Sequence, residues 1–167
     1  MRRRQILAAL LALGAATAHA HGEEKHARPS PAYQAEQKDW GIPGEQRAVT
    51  RTIAIDMTDA MRFTPGQITV EEGETVRFVV SNNGHRLHEM VIGTTAELKA
   101  HAALMAKYPN MQHDEPYMAH VNPGKTGEIV WNFNRAGEFE FACLILGHFE
   151  AGMRGSITVT PKQGNAK

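Results

Sequence analysis

Cys143, His148 and Met153 stand five residues apart in turn, in Cys143-Leu-Ile-Leu-Gly-His148-Phe-Glu-Ala-Gly-Met153. A thiolate, an imidazole and a thioether together suit a soft, redox-active metal. Two histidines and one cysteine in a trigonal set, with a weak and long axial methionine, make the blue-copper site. The stretch supplies only one imidazole, so the second must come from elsewhere in the chain. His88, in Arg86-Leu-His88-Glu-Met90, is the candidate, with His85 as its rival.

The simpler account of these residues is a buried cysteine, a surface histidine and a core methionine. Export weighs against it. Met1-Arg-Arg-Arg4 is a basic start, and the apolar run from Ile6 to Ala16 ends in Ala18-His19-Ala20, a small-x-small cleavage site. Residues 1–20 therefore read as a secretory signal, too short to persist as a membrane anchor, and the mature chain begins at His21 in the periplasm. Cys143 is the only cysteine. In an oxidising compartment it has no internal disulfide partner, so it is free, intermolecular or ligated. Ligation removes the liability, because a coordinating thiol is held deprotonated.

Charge narrows the partners. Lys plus Arg number 18 and Asp plus Glu 18, and loss of Arg2, Arg3 and Arg4 with the signal leaves a slight acidic excess. A nucleic-acid binder would present a basic face, and none is evident. The mature length suits a single domain.

The elements that must position the candidate ligands follow from periodicity. Residues 21–47 are polar, carry Pro29, Pro31 and Pro43, and read as a flexible arm. Residues 48–162 read as the folded domain, with 163–167 as a tail. Ile53, Ile55 and Met57 alternate with polar residues, as do Ile68 and Val70, then Val76, Phe78 and Val80. Asn82-Asn-Gly84 is a turn that contains His85. The strand after it puts His88, Met90 and Ile92 on one face, so strand phase favours His88 over His85. Around 94–108 the period changes to that of one short helix, with Thr94 or Thr95 as cap and Leu98, Ala102, and Leu104 or Met105 on the stripe. Pro109 to Gly124 reads as irregular. Ile129, Trp131 and Phe133 mark another strand; Phe139, Phe141 and Cys143 share the core face of the next, and Ile157 and Val159 close the body. Seven or eight short strands with turns between them imply an all-β, Greek-key β-sandwich.

A histidine after an Asn-Asn turn, followed by Cys-x4-His-x4-Met, resembles the cupredoxins, the small blue-copper proteins. The likeness covers about residues 50–160. Within that family, His88-Glu-Met90 and Gly147-His-Phe-Glu-Ala-Gly-Met153 are similar to the exported bacterial cupredoxins of copper tolerance. The resemblance implies one type 1 copper per chain, with His88 and His148 as imidazole ligands, Cys143 as thiolate and Met153 as the axial ligand. The chain departs from the pattern at Leu146, where close relatives are expected to carry proline. It departs again at Glu89, where plastocyanin-like members carry asparagine.

Two functions then compete. One is transfer of single electrons to a weakly bound, transient redox partner; the other is buffering of periplasmic copper, alone or with a copper-handling protein. A copper nitrite reductase or oxidase is the weakest reading, because such enzymes need a second copper held by several histidines, usually across domains, and the mature chain has no compact His-x-His pair. A mononuclear site with Glu89 or Glu150 in place of the methionine is a further variant. Two other groups suit copper: His21 with His26 in the arm, and His101, Met105, Met111, His113, Met118 and His120, whose spacing is irregular.

Overall fold

The computed structural model describes residues 36–108 and 113–162; the signal, His21, His26, Met111 and the tail at 163–167 lie outside the described residues. Ten strands, β1 Ile42–Pro43, β2 Arg51–Thr58, β3 Arg62–Thr64, β4 Gln67–Glu71, β5 Thr75–Asn82, β6 His88–Gly93, β7 Met118–Val121, β8 Thr126–Asn132, β9 Gly137–Ala142 and β10 Arg154–Thr160, form two five-stranded sheets. Their orders are β1-β8-β5-β2-β3 and β4-β10-β9-β6-β7. The expected β-sandwich is present. The strand count exceeds the seven or eight read from the sequence because β1, β3 and β7 are too short to show periodicity.

Alternation fixes which side chains enter the core. β2 buries Ile55 and Met57, β5 buries Val76, Phe78 and Val80, and β8 buries Ile129 and Trp131. These meet Phe139, Phe141, Cys143, Ile157 and Val159 from the opposite sheet in one cluster. Two pairings, β2 with β5 and β4 with β10, are parallel. They join strands distant in sequence and leave no local signature.

Strand β6 differs from its neighbours, because all six of its residues are buried. One face carries His88, Met90 and Ile92, as the alternation requires. The other face is covered by the helix α1, Thr95–Lys107, whose Leu98, Ala102 and Met105 pack with Val91, Met118, Ala142 and Leu144. Thr94 is the cap: its Oγ1 accepts from the Glu97 N–H at 3.2 Å. Met105 lies on the stripe, whereas Leu104 is exposed.

Two expectations are corrected. Order begins well before residue 48: Lys38 bridges Gly41, β1 pairs with β8, and Trp40 is buried, its carbonyl accepting the Trp131 Nε1–H at 2.8 Å. A two-residue strand held by one aromatic anchor has no period to detect. The segment read as irregular also contains β7, an edge strand that pairs antiparallel with β6 and places Val121 opposite His88 and His120 opposite Glu89.

Candidate metal centre

The chain reverses direction between β9 and β10, and Cys143 is the first residue after β9. Its side chain continues the core face of Phe139 and Phe141 and is fully buried. The loop that follows is a series of tight backbone bonds. His148 N–H donates to Ile145 C=O at 2.9 Å, Ala151 to Gly147 at 3.1 Å and Gly152 to Phe149 at 3.0 Å. Met153 N–H then donates to His148 C=O at 3.0 Å, and Cys143 N–H to Met153 C=O at 3.1 Å, which closes the loop on itself. Gly147 and Gly152 have φ of 84° and 85°, in the left-handed region where a Cβ is penalised. Arg62 braces the loop from outside, donating through Nη1 to Ala151 C=O at 3.2 Å.

His88 enters from the start of β6. One nitrogen of each of His88 and His148 and the sulfur of Cys143 all lie within 4.8 Å of one another, and all three residues are buried. Among the described residues this is the one set of three His, Cys, Asp or Glu side chains so close together. His148 Nδ1 is 3.2 Å from Cys143 Sγ, and the two imidazole centroids are 4.9 Å apart. Met153 is buried in the same loop. His85 is outside the cluster: its side chain is 96 % exposed and pairs with Asp59.

The surroundings orient these groups as ligands. His88 Nε2 donates to Asp59 Oδ1 at 3.0 Å, which leaves Nδ1 as the lone-pair nitrogen, buried and without a partner. A carboxylate on the outer nitrogen is the usual way to fix the tautomer of a metal-ligating histidine. The backbone N–H groups of His85 and, more weakly, Arg86, with the His88 ring, hold the Asp59 carboxyl down at about 2. Burial pushes the Cys143 thiol up to about 12, against the pull of the Glu89 and Ile145 backbone N–H groups. Burial lowers the pKa of His148, which keeps its ring neutral. Two unprotonated imidazole nitrogens and a buried thiol with a donor aimed at its sulfur fit a copper ion. An orphaned buried nitrogen such as His88 Nδ1 otherwise costs about 1–3 kcal/mol.

Glu89, a departure from the family pattern and a variant ligand on the sequence, is bonded to the cysteine loop instead. Its backbone N–H donates to Cys143 Sγ at 3.4 Å, and its carboxylate Oε1 accepts from the Leu144 N–H at 2.8 Å. The strand is thus bonded both to the thiol and to the backbone of the residue that follows it. With its carboxylate engaged in this way and 1 % exposed, Glu89 is a brace and lies outside the ligand cluster. Glu150 is exposed on the loop and also lies outside it.

Comparison with known proteins agrees with this geometry. Residues 49–160 match the family of copper-binding proteins of the plastocyanin/azurin type. The chain is 49 % identical to the copper-resistant cuproprotein CopI of Rubrivivax gelatinosus, over 95 % of this chain and 99 % of that one. It is 34 % identical to the CopI of Pseudomonas aeruginosa, over 81 % and 88 % of the two chains. The structure of auracyanin B superposes with a TM-score of 0.61 at 20 % identity, covering 74 % of this chain and 97 % of the other, a likeness of fold alone.

Proposed function

Because the chain belongs to the plastocyanin/azurin family of copper-binding proteins, we propose that it is an exported copper-tolerance protein holding one copper ion between His88, Cys143, His148 and Met153. Copper in such a donor set supplies a one-electron couple. The chain's own groups do the rest. Cys143 gives up a proton that burial otherwise holds, and the Glu89 N–H then stabilises the thiolate. Asp59 fixes the ring of His88, and the bonded loop fixes His148 relative to Cys143. The observation that carries the reading is the convergence of three buried ligand atoms within 4.8 Å, with one His88 nitrogen unpartnered among them. The likeness to two copper-resistant cuproproteins supports tolerance as the role.

The test is growth on copper of a strain lacking the gene. The expected result is sensitivity that the intact gene restores and a Cys143→Ala copy does not, with the exported chain beginning at His21. Full rescue by the alanine copy would refute the role of this centre.

A second reading, electron transfer to a partner protein, is favoured by the surface above His148. That residue is only 6 % exposed, yet Leu146 beside it is 61 % exposed and Leu87, next to His88, is 38 % exposed. An apolar rim around a near-surface ligand suits brief docking of a partner over a small area. Leu146→Asp places like charges face to face when two copies meet. It is expected to slow electron self-exchange roughly tenfold while leaving the visible spectrum unchanged, because like-charge juxtaposition in a contact is costly. An unaltered exchange rate, read from NMR line broadening in mixed oxidation states, would remove this surface from the route.

A further inference from the structure

Residues 88 and 89 point to opposite faces of β6. His88 faces the inner site. Glu89 also reaches the outer side of the sheet, where a second group of imidazoles collects. His120 of β7, opposite Glu89 in the ladder, places Nε2 2.8 Å from Glu89 Oε2. The ring of His113 lies 6.2 Å from that of His120, and His101 of α1 lies 4.7 Å from His113, centroid to centroid. Three histidines from a helix, a loop and a strand are thereby gathered at one place.

Their hydrogen bonding is what marks them. Both ring nitrogens of His113 are shielded from solvent and neither has a hydrogen-bond partner. An imidazole always carries at least one N–H and prefers a partner at each nitrogen, so this position costs free energy as it stands. His120 has its outer nitrogen on a buried carboxylate, the arrangement that orients ligating histidines, and its Nδ1 is 3.5 Å from Asp114 Oδ1. Burial and the nearby His113 lower the pKa of His101, which leaves that ring neutral. Met105 and Met118 are not part of the group, since both pack with Leu98 in the apolar cluster under the helix.

We propose that His101, His113 and His120, with Asp114 at their edge, form a second metal site that takes Cu(II). Imidazole and carboxylate donors favour Cu(II) over the other divalent first-row ions, and no thiolate is present to give a blue centre. The proposal rests on the reading of the chain as a copper protein, but on none of the same side chains. Its donor atoms are less tightly gathered than those of the first site, so its affinity is lower and it fills second. Glu89 joins the two, with one carboxylate oxygen on His120 and the other on the backbone of the cysteine loop.

The experiment uses full-length exported protein carrying Cys143→Ala, His21→Ala and His26→Ala, titrated with Cu(II) and desalted. The expected result is close to one Cu(II) per chain. Its EPR spectrum is that of a site without sulfur, with hyperfine splitting from imidazole nitrogen, and its binding is weakened roughly tenfold or more by His113→Ala. In the otherwise unaltered protein, His113→Ala removes one of two copper equivalents and leaves the visible absorption intact. Absence of Cu(II) from the Cys143→Ala protein after desalting would overturn the proposal, as would binding that His113→Ala leaves unchanged. Failure of the first centre reads out differently: a native protein with no visible band that still binds Cu(II) through His113 would sink the Cys143 centre and leave this site standing.

Discussion

Replacing Cys143 with alanine is expected to abolish the intense visible absorption of the copper-loaded protein while leaving the sandwich folded. The absorption depends on a sulfur-to-copper bond, and the chain has one cysteine. Without it the pocket offers two neutral imidazoles and a thioether, none of which balances the charge of a copper ion. The energetic cost to the fold is small by comparison. Cys143 is fully buried in the core cluster, and deleting its sulfur removes contacts equivalent to about one methylene, roughly 1 kcal/mol. The change also removes the acceptor for the Glu89 N–H at a long 3.4 Å, a weak bond in the metal-free protein. Far-UV circular dichroism of the variant should therefore match the parent, and its visible spectrum should be blank. A retained band would exclude Cys143 as the thiolate.

That centre was legible because its information is local. Cys-x4-His-x4-Met lies in one loop, and the alternation of Phe139, Phe141 and Cys143 already puts the sulfur on the core face. His88 was reached by the same logic of phase, from Met90 and Ile92, and the structure sets one of its nitrogens within 4.8 Å of the sulfur. What escaped the sequence is non-local. Glu89 has the alternation of an outward, solvated residue, and only the cover of α1 turns that outer face of β6 into a buried one. The same cover brings His101 of α1 against His113 and, through it, within reach of His120 on β7, a gathering that their irregular spacing along the chain marks only loosely. Trp40 failed for the opposite reason. It sits among polar residues and prolines, and a single ring stacked against Trp131 and edge-on to Tyr117 orders a segment that composition marks as an arm.

Asn82 shows how far a turn signal can mislead about energy. The dipeptide Asn82-Asn83 reads as two equivalent turn residues, yet one is fully buried and the other exposed. Asn82 Nδ2 donates to Arg86 C=O and to Val121 C=O, both at 2.7 Å, and its Oδ1 accepts from the Gly84 N–H at 2.9 Å. These three bonds tie the turn that leads into His88 to the strand opposite it. Asn82→Ala leaves the partners unsatisfied where water has little access. The expected loss is about 2–4 kcal/mol, from roughly 1–3 kcal/mol for each buried group left without a partner, partly relieved by relaxation. For a chain of this size that corresponds to a Tm lowered by roughly 6–15 °C. Asn83 makes one exposed bond, to the Asp56 carboxylate, so Asn83→Ala should change stability by only about 0.5 kcal/mol. Thermal unfolding of the two metal-free variants decides the matter, and the copper-loaded Asn82→Ala protein should also show a shifted visible band, because His88 loses the anchor of its entry. Equal melting temperatures for the two variants would mean that the turn is held by its backbone alone, and that the position of His88 owes nothing to Asn82.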